Sequence, residues 1–440
     1  MTSTPKRVPI PPKGVDYRGK VVLAPMVRSG ECPSRLLALR YGADLVWGPE
    51  TVDRAIIGTT RKFNPATKTI DFTRYSSNGQ KDHVPETSQR ESVIYRLHPE
   101  LEGRKLVYQI GTASPELAVQ AASLIAPDVA GIDVNAGCPK PFSTLGGMGA
   151  ALLKTPDLLC SILRALVKEV GTPNEIGISV KIRILDTEEQ TRALVSQLVR
   201  TGITGLTVHC RTTPMRPREK AIRDQLKAVV EVCHEAGVAC LMNGDVTSRD
   251  EAVRLAEEYG ADGAMIATAA ETNPSCFRSE ADGGLARWEP VVEEYLSYAL
   301  DVENRWGNTK YLLGQMIPGK SPKYGPMKQS KSYSELVEIL SLEENLGAKA
   351  AEVDRRLGMG GNAPEGEKKL TKAERRAKNR ADFEAAEKRR VEQRSKQQRK
   401  GQQEPTKRRA DQAGLDDIPR DVKRQEGPGT VPEQASVLAV

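Results

Sequence analysis

The chain has 440 residues, room for one large domain or two to three smaller ones; with 38% hydrophobic and 4% aromatic residues, part of it is expected to be solvated. No apolar run approaches the roughly 18 residues of a membrane span. Residues 361–410 carry 17 Lys and Arg against 8 Asp and Glu, a net of +9 on a chain whose total is +7, which leaves about −2 elsewhere and places the basic character in a tail suited to a polyanion.

In chain order, residues 1–20 open with MTSTPKRVPIPPKG, whose four prolines oppose both a signal-peptide core and a transit helix; the stretch reads as an extended arm on a soluble intracellular protein. From residue 21 a short apolar strand, a loop and an amphipathic helix recur. The predicted strands are VVLA (21–24), DLVW (44–47), LVYQI (106–110), GIDV (131–134), ISVKI (178–182), GLTVH (205–209), ACLMN (239–243) and GAMIA (263–267). Thr155 before Pro156, and Thr247 or Ser248 before acidic residues, are helix starts, while Gly202, Gly237 and Gly260 are helix ends. Eight strands alternating with helices over about 260 residues predict a (β/α)8 barrel, a TIM barrel, across 21–285. A doubly wound sheet would carry G-x-G-x-x-G after its first strand, where this chain has LAPMVRSGE.

An insertion at 58–104 breaks the rhythm; KTIDFTRY and SVIYRL alternate as strands do, which predicts a hairpin over the barrel rim. Residues 286–350 read as a small α-helical domain. Residues 351–440 read as a basic, low-complexity, largely disordered tail with too few apolar residues to bury.

The seven cysteines are odd in number and lack C-x-x-C spacing, so neither a disulfide framework nor a metal site is expected. Cys160, Cys233, Cys240 and Cys276 sit in apolar patterns and are expected to be inert core thiols; Cys138, in IDVNAGCPK, follows a strand and lies in a Gly-Cys-Pro bend that turns it outward. Barrel active sites lie at the carboxyl ends of the strands. Those positions hold Pro25, Met26, Glu50, Gln109, Asn135, Lys181, Arg183, His209, Asn243 and Gly244. The last two loops, NGDVTS and ATAAETNP, stand where barrels commonly bind phosphate.

The stretches VVLAPMVRSG, GADLVWGPE, VYQIGT, GIDVNAGCPK, GGMGAALL, SVKIRI, TVHCRT and LMNGDV, in that order over about residues 20–280, resemble the tRNA-dihydrouridine synthases. The longer GIDVNAGCPKPFSTLGGMGAALL and the later NTKYLLGQM resemble the eukaryotic branch acting on position 20 of the tRNA D-loop. The resemblance implies a flavin mononucleotide (FMN) across the barrel mouth, NADPH as electron donor and tRNA as substrate. It implies Pro25 and Met26 along the flavin ring, Gln109 at its polar edge, Lys181 facing its N1/O2 side, and His209 also in contact. Asn243, Gly244 and Asp245 of LMNGDV, with Ala267 and Thr268, would hold the phosphate end; Asn135, Arg183 and Arg211 would receive the uracil. Cys138 would be the general acid that protonates C5 as hydride reaches C6, and the uridine must leave its tRNA fold to reach it.

Three departures stand out. Thr268 occupies the place where members carry Arg, Cys210 replaces a common Gly, and no αβββα double-stranded-RNA-binding pattern follows, so the tail would supply phosphate contacts instead. Two rival readings stay open: a flavoprotein acting on a free pyrimidine, like dihydroorotate dehydrogenases, and a non-catalytic tRNA-binding chaperone. A cytoplasmic monomer is expected, with KRR in the tail also readable as a nuclear signal.

Overall fold

The computed structural model describes residues 7–75, 91–216 and 218–359. Its strands are β1 Lys20–Leu23, β2 Leu45–Trp47, β3 Thr51–Val52, β4 Thr60–Asn64, β5 Thr69–Tyr75, β6 Glu91–Leu97, β7 Leu106–Gly111, β8 Gly131–Ala136, β9 Gly177–Arg183, β10 Gly205–His209, β11 Ala239–Asn243 and β12 Gly263–Ile266. Eight of them run parallel in the order β2-β1-β12-β11-β10-β9-β8-β7, and pairing of β2 with β7 closes the ring. All eight expected barrel strands are present; β3 adds a short rung beside β7.

Both faces of these strands are buried, and their side chains serve two different cores. Val22, Leu45, Trp47, Val107, Leu241 and Met265 fill the barrel interior with Tyr17 from the amino-terminal arm. Glycine at 205 makes room for that tyrosine, since a Cβ there would lie 2.4 Å from its ring. Alternate residues such as Ile132, Val134, Val180 and Val208 face the surrounding helices. Ser248 caps its helix by accepting from the Glu251 N–H, and Gly202, Gly237 and Gly260 end theirs with φ of 93°, 79° and 72°.

The insertion differs from expectation. It is a three-stranded antiparallel sheet, β4-β5-β6, rather than a hairpin over the rim. Its apolar face (Ile70, Phe72, Tyr95, Leu97) packs on the barrel flank, Tyr95 standing edge-on to Tyr108 at 4.9 Å. The overlooked strand, TRKFN, is almost wholly exposed and lacks apolar alternation; its ladder to β5 holds it. Beneath this region Arg35 and Glu102, both buried, form a two-pronged ion pair (2.6 and 2.7 Å).

After residue 285 come helices Trp288–Asp301, Trp306–Met316, Tyr324–Gln329, Tyr333–Leu340 and Glu343–Leu357. They share a core of their own, which also takes Leu37 from the first barrel helix, Cys32–Arg40. The last helix runs past residue 350 to Leu357, so the helical segment is longer than expected; the basic run that follows lies outside the described residues.

Candidate active site

Strand alternation aims polar residues of the upper barrel inward, and parallel register sets them in rows. Asn135 pairs with Lys181, Arg183 with His209, and His209 with Asn243. Gln109 is held rather than free: its Nε2 donates to Asp133 Oδ2 (2.8 Å) and its Oε1 accepts from Asn135 Nδ2 (3.2 Å). Ser179 Oγ donates to the other Asp133 oxygen (2.7 Å). Burial pushes the Asp133 carboxyl up to about 6, against the pull of these hydrogen bonds and of Lys181. Burial first, then the Arg183 charge, lowers Lys181 to about 8, and its Nζ makes no hydrogen bond among the described residues.

The Cys138 loop is fixed through its backbone. Asn135 Oδ1 accepts from the N–H groups of Gly137 and Cys138, both at 2.9 Å. Arg183 Nε donates to Gly137 O and its Nη1 to Thr212 O, each at 2.8 Å, and Ala150 N donates to Cys138 O at 2.9 Å. The thiol emerges half-buried, while the other six cysteines are buried and unpaired, as expected for Cys160, Cys233, Cys240 and Cys276. Burial, and next the neighbouring Glu50, push the Cys138 thiol above its ordinary value. At neutral pH it therefore carries its proton.

Across the mouth lies a cavity of about 700 Å³ lined by Arg183, His209, Arg211, Asn243, Gly244, Asp245, Ala267 and Thr268 among others. Arg183 links the two halves, touching both cavity and cysteine loop. Burial, then the charges of Lys181, Arg183 and Arg211, hold His209 down to about 2, so it is neutral. Its Nε2 lies 3.2 Å from Arg211 Nη1, which can only donate, and this places the histidine proton on Nδ1. Arg211 also donates to Glu219 O (2.7 Å) and pairs with Asp245, whose Oδ2 accepts from Ala221 N at 2.7 Å. Asn243 Nδ2 donates to Met265 O (2.8 Å), tying β11 to β12. Gly244 has φ +124°, and a Cβ there would come within 3.1 Å of the Ala221 Cβ and 3.3 Å of His209 Cδ2. Met26 and Ala267 pack against the top of the interior core, with Pro25 half-exposed beside them. Cys210, in place of the glycine, is buried and its thiol is pushed up to about 12, which leaves it inert.

The profile of the family described as dihydrouridine synthase matches residues 22–322, more than half of the chain. The chain belongs to the dihydrouridine synthase family. It is 50% identical to the tRNA-dihydrouridine(20) synthase [NAD(P)+] of Schizosaccharomyces pombe, with 75% of this chain and 66% of that protein covered. It is 45% identical to the Saccharomyces cerevisiae protein of the same name, covering 74% and 84%, and 29% identical to the human tRNA-dihydrouridine(20a/20b) synthase [NAD(P)+]-like protein, covering 58% and 70%. The chain thus spans about two thirds of the fission-yeast protein.

Within this dihydrouridine synthase barrel, the expected residues gather at one mouth, but several are occupied differently. Asn135 commits its Oδ1 and Arg183 its Nε to the cysteine loop, and Arg211 and Asp245 bridge the β10 and β11 loops. Sequence reasoning gave no role to Asp133 or Ser143 and noted Glu50 only by position. The period-two spacing of Asp133 with Asn135, and of Ser179, Lys181 and Arg183, was the available signal for an inward polar face. Among the described residues, no cluster of three or more His, Cys, Asp or Glu could hold a metal, and no helix is long and apolar enough to cross a membrane.

Proposed function

We propose that this chain is a tRNA-dihydrouridine synthase that reduces the 5,6-double bond of uridine, at position 20 of the D-loop, with a nicotinamide donor and FMN. The observation that carries the reading is the half-buried, protonated Cys138 thiol, on a loop that Arg183 ties to the cavity at the barrel mouth and within reach of the Lys181 charge. The names of the yeast relatives support the substrate, the position and the NAD(P) donor.

The residues present fit the flavin. Lys181 offers an ammonium without a hydrogen-bond partner among the described residues, and Gly244 leaves a cradle that a Cβ would fill. Lys181 would face the electron-rich edge of the ring, where its charge favours the anionic reduced form. The Gly244 backbone and the Thr268 hydroxyl, with Asn243 and Ala267 beside them on the cavity wall, would receive the phosphate end. When bound, the flavin supplies the hydride that goes to C6 of the uracil.

The protein supplies the proton. Cys138 Sγ–H breaks and the proton goes to C5, so that uridine gains two hydrogens in all. Asn135 and Arg183 act on this step by holding the backbone of Gly137 and Cys138, which aims the thiol. Neutral His209 lends a hydrogen-bond donor through Nδ1 without adding charge. The helices of 288–357 and the basic tail would hold the tRNA, the tail by sequence-independent phosphate contacts in the cytoplasm.

The test is to incubate the full chain with NADPH and tRNA lacking dihydrouridine, then map any 2-hydrogen mass gain. A gain at position 20 supports the reading; a flavin-loaded protein giving no gain on tRNA yet reacting with a free pyrimidine would overturn it.

A further inference from the structure

Glu50 stands just beyond β2 and has no part in the chemistry described so far. Ser143, fully buried, donates from Oγ to Glu50 Oε1 at 2.9 Å. The other oxygen, Oε2, is buried and makes no well-formed hydrogen bond among the described residues, where the Cys138 thiol is the one side chain besides Ser143 that interacts with this carboxyl as a donor, and only weakly. The Cys138 thiol lies beside this carboxyl, near enough for each group to perturb the other. Two glycines create the space. A Cβ at Gly111 would come within 2.5 Å of Glu50 Oε1, and one at Gly149 (φ +59°) within 2.4 Å of Ser143 Oγ and 3.2 Å of Cys138 Cβ. A buried carboxyl oxygen without a well-formed hydrogen bond is costly, and such an atom calls for an explanation.

We propose that Glu50 is the proton partner of Cys138: its Ser143-anchored carboxyl keeps the proton on sulfur before transfer and collects the replacement afterwards. The inference rests on reading Cys138 as the acid. The other charged groups facing the thiol, Arg183 and Lys181, both favour thiolate, so among charged groups Glu50 alone adds to burial in keeping the proton on sulfur. Adjacent thiol and carboxyl titrate as a pair, and the second proton is held more tightly than the first because two neighbouring anions repel. When the Sγ–H proton moves to C5, the thiolate is left against Glu50. Glu50 then takes a proton from a solvent acid at the mouth, whose conjugate base stays in solution, and passes it to Sγ; no electrons change hands in this relay.

The test is alkylation of Cys138 by iodoacetamide in the full chain as a function of pH, read by peptide mass, which requires neither flavin nor tRNA. Glu50→Gln is expected to lower the alkylation midpoint by about one pH unit, roughly tenfold faster labelling at fixed pH below it. Steady-state turnover should fall more than the first turnover, because reloading the acid is what is impaired. Should Glu50→Gln fail to fold, Glu50→Asp, whose carboxyl is withdrawn by one methylene, is expected to shift the midpoint in the same direction. An unmoved midpoint in a folded variant overturns the relay alone. A wild-type single-turnover rate in Cys138→Ala overturns the acid reading, and the relay with it.

Discussion

Replacing Cys138 by alanine separates chemistry from structure unusually well. The loop that carries the thiol is held by backbone groups: Cys138 N donates to Asn135 Oδ1 and Cys138 O accepts from Ala150 N, both at 2.9 Å, and neither bond uses sulfur. The side chain is half-buried at the mouth, so removing Sγ leaves no sealed void, and stability should stay within about 0.5 kcal/mol of wild type. The rate should fall by the worth of a positioned general acid, about 10²–10⁴-fold, or roughly 2.7–5.4 kcal/mol of barrel-mouth catalysis. A free thiol with pKa about 8.5 is already about 90% protonated at pH 7.5, and this one is held higher by burial and Glu50. The wild-type rate should therefore be level through neutral pH and decline only at alkaline pH, where the acid form is lost. Single-turnover reduction by pre-reduced enzyme, followed by the mass of the tRNA nucleosides, reads both quantities. A mutant rate within about threefold of wild type, with flavin bound, would refute the reasoning.

Other perturbations probe the surroundings. Gly149→Ala forces a Cβ against Ser143 Oγ and Cys138 O at 2.4 and 2.6 Å from a left-handed backbone, so the cysteine loop must shift; single-turnover rate should drop and denaturant unfolding should show a loss of about 1–3 kcal/mol. Glu102→Ala leaves the buried Arg35 guanidinium unpaired and should cost about 3–5 kcal/mol in urea unfolding, whereas a loss under about 1 kcal/mol would show that the pair is dispensable. His209, neutral when folded because its value is held to about 2, takes up a proton near 6.5 when unfolded. Its contribution is complete above pH 6.5 and is lost as pH falls, so between pH 7 and 5 wild type should lose about 2 kcal/mol more than His209→Gln does. Parallel pH slopes for the two proteins would count against a neutral histidine.

The barrel was legible because its strands are buried on both faces: runs such as ISVKI and ACLMN announce themselves in one dimension, and Gly202, Gly237 and Gly260 mark three of the helix ends. Strand β4 was not, because TRKFN owes its place to ladder bonds with β5 and only one of its residues escapes full exposure. The strand-end rule found the site's residues but not their partners. Which atoms of Asn135 remain for a ligand depends on a loop that folds back onto its Oδ1, and pairing of Arg211 with Asp245 depends on two loops meeting 34 positions apart.

Glu50 and Ser143 are the sharpest case, 93 positions apart in the chain and joined across the mouth at 2.9 Å. Neither residue type is unusual where it stands. What singles them out is the pair of glycines: Gly111 leaves room for the Glu50 carboxyl, and Gly149 for Ser143 and Cys138. A glycine in a buried strand weakens it, and a left-handed glycine in a loop admits almost no substitute. Two such concessions, one at each partner of the Glu50–Ser143 hydrogen bond, are hard to explain as packing, because a bulkier core would serve packing better. They follow directly if the barrel must keep a carboxyl next to the sulfur that gives up its proton.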